Sequence, residues 1–78
     1  MATKAFILIE TAVGKTREVA NILGELGGMR SVDVVTGPYD IIAVIDAPDI
    51  NTMGGLVTEK IHTISGVVRT VTCVAVGG

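Results

Sequence analysis

Cysteine is almost missing from this sequence of 78 residues: one thiol, Cys73, excludes an intrachain disulfide. Histidine is equally scarce. With only Cys73 and His62 as candidate soft ligands, a four-ligand structural zinc site cannot be assembled, and no metal or cofactor is expected. The aromatics are Phe6 and Tyr39 alone, too few to provide a platform on which bases stack. Charge of one sign is not concentrated anywhere. The net charge is −2, and the six cations Lys4, Lys15, Arg17, Arg30, Lys60 and Arg69 are scattered along the chain, so direct nucleic-acid contact is not expected. Long apolar runs are absent as well. The longest is five residues, as in Ile41 to Ile45, far short of the roughly 18 a membrane-spanning helix requires. The N-terminus shows no signal-peptide pattern. An unpaired thiol and no targeting segment make the cytoplasm the expected compartment, with no membrane partner.

What the sequence does have is apolar side chains, 49% of all residues, with a mean hydropathy of +0.64. A chain this short is a single domain, residues 1–78, and buries only about 60% of the surface its unfolded form exposes. Small domains are usually reinforced by disulfides, a metal or self-association. The first two are excluded, which leaves self-association.

Along the chain, the run Phe6-Ile7-Leu8-Ile9 within Lys4 to Glu10 reads as a first strand. From Gly14 to Leu26, the positions Thr16, Val19, Ala20, Leu23 and Leu26 recur at helical spacing with Glu18, Asn21 and Glu25 opposite, and Gly27-Gly28 ends the helix. Met29 to Thr36 alternates as an edge strand. The cluster Gly37-Pro38-Tyr39-Asp40 then turns the chain into a central strand, Ile41 to Ile45. A second helix opens at Pro48-Asp49, capped by Asp46 or Asp49, with a stripe of Ile50, Met53, Gly54, Val57, Ile61 and Ile64. Ser65-Gly66 closes it, and Val67 to Val76 forms the last strand.

The order β-α-β-β-α-β, with right-handed crossovers, predicts an α+β ferredoxin-like fold: a four-stranded antiparallel sheet in the order 4-1-3-2 with both helices on one face. It demands central first and third strands, and those are the segments apolar on both faces: Ile7 and Ile9 against Phe6 and Leu8, Ile41 and Ile45 against Ile42 and Val44. Helices cover one face only. The other is left for a second subunit.

Three short features, in this order within one βαββαβ chain, carry a resemblance: the Gly-x-Tyr-Asp turn at Gly37 to Asp40, the small-Gly-Val sequence Ser65-Gly66-Val67, and the threonines Thr70 and Thr72 in the last strand. The chain resembles the RAM domain, the ligand-sensing half of the Lrp/AsnC regulators. The resemblance implies sheet-to-sheet homodimers that assemble further, often into octamers, with amino-acid effectors bound between dimers. It implies a site of Gly37, Pro38, Tyr39, Asp40, Thr70 and Thr72. The turn would supply backbone N–H groups and the Asp40 carboxylate to the charged ends of a zwitterion, Tyr39 a wall, and the threonines hydroxyls. Pro38 departs from the family pattern and removes one N–H donor. No DNA-binding region precedes Met1, so the expectation is an accessory regulator that acts without direct DNA contact, through co-assembly with full-length Lrp/AsnC relatives.

Two other readings share the topology: a small dimeric enzyme of the cofactor-free monooxygenase type, and an ACT-type regulatory module, whose ligand would sit near the connection between the first strand and first helix. The enzyme reading fits two aromatics and one helix-end histidine poorly, and no catalytic residue is assigned. Cys73 and His62 read as structural, Cys73 as buried and His62 as suited to a helix terminus. Arg69 lies between the threonines on the opposite face and receives no role. Gly54-Gly55 inside the second helix implies either a close approach to the sheet or a neighbouring subunit, or a kink.

Overall fold

The alternation of β-branched residues produces strands where it is strongest, and glycines separate the elements. A computed structural model describes residues 2–76, so Met1, Gly77 and Gly78 of the expected 1–78 domain lie outside the described residues. The elements are β1 (Thr3–Thr11), α1 (Thr16–Gly24), β2 (Met29–Val34), β3 (Ile41–Ala47), α2 (Ile50–Leu56), a π-helical turn (Val57–Ile61) and β4 (Val67–Val74). They form a four-stranded sheet in the order β2-β3-β1-β4, antiparallel throughout. This is the predicted ferredoxin-like topology, with β1 and β3 in the middle.

Register fixes which side chains share a face. Ile7 stands opposite Ala43 and Thr72, Ile9 opposite Ile41 and Thr70, and Ala5 opposite Ile45 and Val74. On the central strands this face is fully buried, and it meets Val19 and Leu23 of α1, Met53 of α2, and Val57, Ile61 and Ile64 beyond it. Burying a side chain of this size contributes about 1.5–3 kcal/mol, so the two central strands and the helix stripes supply most of the stabilisation. The other face carries Phe6, Leu8, Ile42, Val44 and Val71, all half-buried except Phe6, which is 37% exposed. Among the described residues, no element covers it.

Asp49, not Asp46, caps α2: its carboxylate accepts from the Thr52 N–H at 2.8 Å, and that bond holds its pKa below the ordinary aspartate value. Asp46 instead pairs with Arg30 at 3.2 Å. Where α2 would continue, the His62 N–H donates to the Val57 carbonyl, five residues back, at 3.0 Å, which makes the π turn.

Several expectations need correction. Ile50, expected in the apolar stripe, is 61% exposed as the first helical residue after the Asp49 cap. Gly54 is exposed too, and Leu56 packs on the core instead. Beyond its own helix backbone and chain neighbours, a Cβ built on Gly54 or Gly55 meets nothing within 4 Å, so no close approach among the described residues explains the pair. Cys73 is exposed rather than buried. Alternation placed it correctly with Val71, opposite Phe6, but that is the face the helices leave open.

Candidate functional site

The β2–β3 turn is fastened to the end of β1. The Asp40 N–H donates to the Ile9 carbonyl at 2.9 Å, the Asp40 carbonyl accepts from Val35 N–H at 2.9 Å, and its Oδ2 accepts from Thr11 N–H at 2.8 Å. Asp40 thus spends its backbone and one carboxylate oxygen within the chain. Gly37 sits at a φ of +140°, which a side chain would make strained, so the turn needs glycine there. Thr11 Oγ1 in turn shares a hydrogen bond of 2.6 Å with Thr16 Oγ1, tying β1 to the start of α1.

The second glycine of interest is Gly66, at a φ of +102°. A Cβ there would lie 2.9 Å from Lys15 Cβ and 3.1 Å from Val19 Cγ2. Its carbonyl accepts from Ala12 N–H at 2.8 Å. The small-Gly-Val sequence is therefore the place where the start of β4 passes directly against α1.

The six residues singled out in the sequence fall on two sides of the sheet. Tyr39 extends over the open face, where its hydroxyl accepts from Arg69 Nη2 at 3.1 Å and the guanidinium carbon lies 5.9 Å from the ring centre. That hydrogen bond, aided by the Tyr39 hydroxyl and by Glu10 nearby, raises the Arg69 pKa further above its ordinary value. Thr70 and Thr72 share a face with each other, as alternation predicts, but it is the helix face. Thr70 is half-buried and hydrogen-bonded through Oγ1 to His62 Nε2; Thr72 is exposed. Sequence reasoning missed Arg69. Its link to Tyr39 spans 30 residues, and only the combination of strand order and turn geometry reveals it.

Elsewhere, a cleft of about 530 Å³ runs between the end of α1 and α2, lined by Leu26, Gly27, Gly55 and Leu56 with polar atoms from Glu25, Thr52, Glu59 and Lys60. It shares no residue with the turn or with β4. Among the described residues, no group of three His, Cys, Asp or Glu side chains is placed to hold a metal ion. Among the same residues, no helix is long and apolar enough to cross a membrane.

Residues 4–77 match the Lrp/AsnC ligand binding domain. The chain belongs to the Lrp/AsnC family. An uncharacterized HTH-type transcriptional regulator of Pyrococcus furiosus is 36% identical over 78 residues, covering 96% of this chain and 52% of the regulator. The chain thus spans about half the length of the curated relatives it matches. Among solved structures, FFRP-DM1 superposes with a TM-score of 0.91 at 34% identity, covering 95% of this chain and 99% of that one. The fold is shared further by a transcriptional regulator of Neisseria meningitidis determined as an L-Met complex, with a TM-score of 0.86 at 20% identity, covering 95% of this chain and 49% of that one.

Proposed function

We propose that the chain is an amino-acid-binding, self-assembling regulatory module whose effect on transcription is exerted through assembly with like domains rather than through DNA. The observation that carries this reading is the match to a ligand binding domain over residues 4–77. A fold relative from Neisseria meningitidis solved with L-Met makes a free amino acid the chemical class to test.

The proposed ligand site comprises Gly37, Pro38, Tyr39, Asp40, Thr70 and Thr72. In one copy the turn lies beside the end of β1 while Thr70 and Thr72 stand on the helix face of β4, an arrangement that supports a ligand shared between neighbouring copies. The open apolar face supports the assembly this requires. A net charge of −2 with dispersed cations supports action without direct DNA contact.

The test is the light-scattering mass of the protein with and without each of the twenty amino acids, followed by thermal melts. The expected outcome is a multimer whose mass or melting temperature responds to a particular amino acid. Ligand at about 100 times its Kd adds about 2.7 kcal/mol to stability, well within reach of a melt. A mass and melting temperature indifferent to all twenty would refute the amino-acid reading.

A further inference from the structure

The β2–β3 turn offers few backbone donors. Pro38 has no N–H, and that of Asp40 goes to the Ile9 carbonyl, so among the described residues the Gly37 and Tyr39 amides have no partner. A carboxylate recognised there needs further donors, and a cation stands beside it. A guanidinium carries five N–H donors in a planar fork, of which Arg69 directs one to the Tyr39 hydroxyl. Among the described residues the salt bridges are Lys15 with Glu18 and Arg30 with Asp46, so Arg69 forms none.

Glu10 is the residue directly opposite Arg69 across β1 and β4, on the same open face, and it too stands outside those salt bridges. Opposed residues of antiparallel strands have Cβ atoms about 4.5–5.5 Å apart, close enough for a direct pair. Arg69 is instead drawn to Tyr39, which leaves a cation and a carboxylate on neighbouring strands outside any salt bridge. A free amino acid carries the complementary pair of charges on its head group.

We propose that Arg69 and Glu10 bind the zwitterionic head of the effector: Arg69 grips the α-carboxylate with two parallel N–H donors, Glu10 accepts from the α-ammonium, and Tyr39 positions the guanidinium. This assignment rests on the amino-acid reading above. It places the head group on the open-face side of the turn, whereas Thr70 and Thr72 of the same copy stand on the helix face. Arg69 is exposed, and paired charges in open water are screened. A second copy closing over the rim of the sheet supplies the missing wall, and ligand binding is thereby linked to assembly.

The experiment takes whichever amino acid stabilises the unsubstituted protein, together with its carboxamide and its N-acetyl form, and measures half-saturation from thermal melts. The expected result is a loss of at least about tenfold for each analogue and for Arg69→Gln and Glu10→Gln with the amino acid itself, as removal of a charged hydrogen-bond partner predicts. Arg69→Lys is expected to retain part of the response, and Tyr39→Phe to weaken it by less than Arg69→Gln. A carboxamide that binds as well as the acid, or an Arg69→Gln variant within about twofold of the unsubstituted protein, overturns the head-group assignment and leaves the amino-acid reading standing. An unsubstituted protein that responds to none of the twenty overturns both. The analogue series needs no substitution, so it decides the question even if a variant fails to fold.

Discussion

Single residues at this end of the sheet have conformational duties distinct from ligand chemistry, and Gly66 shows the difference most clearly. Its positive φ and the 2.9 Å that a Cβ would leave to Lys15 Cβ both oppose any side chain. The clashing atom is the stem of the lysine next to the backbone of α1, not a flexible end, so relief requires β4 to move away from the helix. Gly66→Ala is expected to destabilise the fold by about 1–3 kcal/mol, read from urea or thermal melts. A variant as stable as the parent would mean that the start of β4 has slack the contact distances do not show. Asp40 belongs to the same class of residue: its carboxylate closes the Thr11 N–H, which would otherwise lack a partner at the end of β1. The Gly-x-Tyr-Asp turn is thus held by its glycine and aspartate, and Tyr39 is the member that faces outward to Arg69.

Among the elements, α2 is the one whose sequence fits its structure least well. Its seven residues include Gly54 and Gly55, neither at a positive φ, and among the described residues a built Cβ at either meets no atom within 4 Å beyond its own helix backbone and chain neighbours. Helical glycine exposed in this way costs about 1 kcal/mol relative to alanine, so Gly54→Ala is expected to raise stability by about 0.5–1 kcal/mol in dilute solution. If the same change lowers the assembled mass, the glycine pair is a contact between copies. The strand elements were legible in the sequence because β1 and β3 carry apolar residues on both faces, which only central strands require, and the strand order followed. Alternation also paired Thr70 with Thr72. It could not say which of two apolar faces the helices choose, and so Cys73 was assigned to the wrong environment. Nor could it show the Tyr39–Arg69 or His62–Thr70 bonds. Both join segments whose proximity depends on the finished topology: a turn reaching across β1, and the end of the π turn coming down on an edge strand.

For the whole molecule, the decisive feature is a sheet with helices on one side only. Phe6, Leu8, Ile42, Val44 and Val71 form an apolar surface across the central strands and onto β4, and among the described residues no element shields it. A monomer would keep this surface in water, whereas two copies packed face to face would bury it twice, at about 25 cal/mol for each Å² removed. Val44 lies in the middle of that face, between Phe6 on β1 and Ser31 on β2. Lysine at this position leaves the helix-side core untouched but places an ammonium against the partner's apolar surface. Val44→Lys is therefore expected to weaken self-association by at least about a hundredfold, since an unpaired buried charge costs several kcal/mol. Light scattering should then report a single-chain mass, and the melting temperature should lose the concentration dependence that a multimer shows. If the copy packed on the open face is the one that closes the head-group site, the same variant also loses its response to the amino acid, although residue 44 is remote from Arg69 and Glu10. A Val44→Lys protein that is monomeric and yet binds with unchanged affinity would show that one copy suffices, and would separate ligand recognition from assembly.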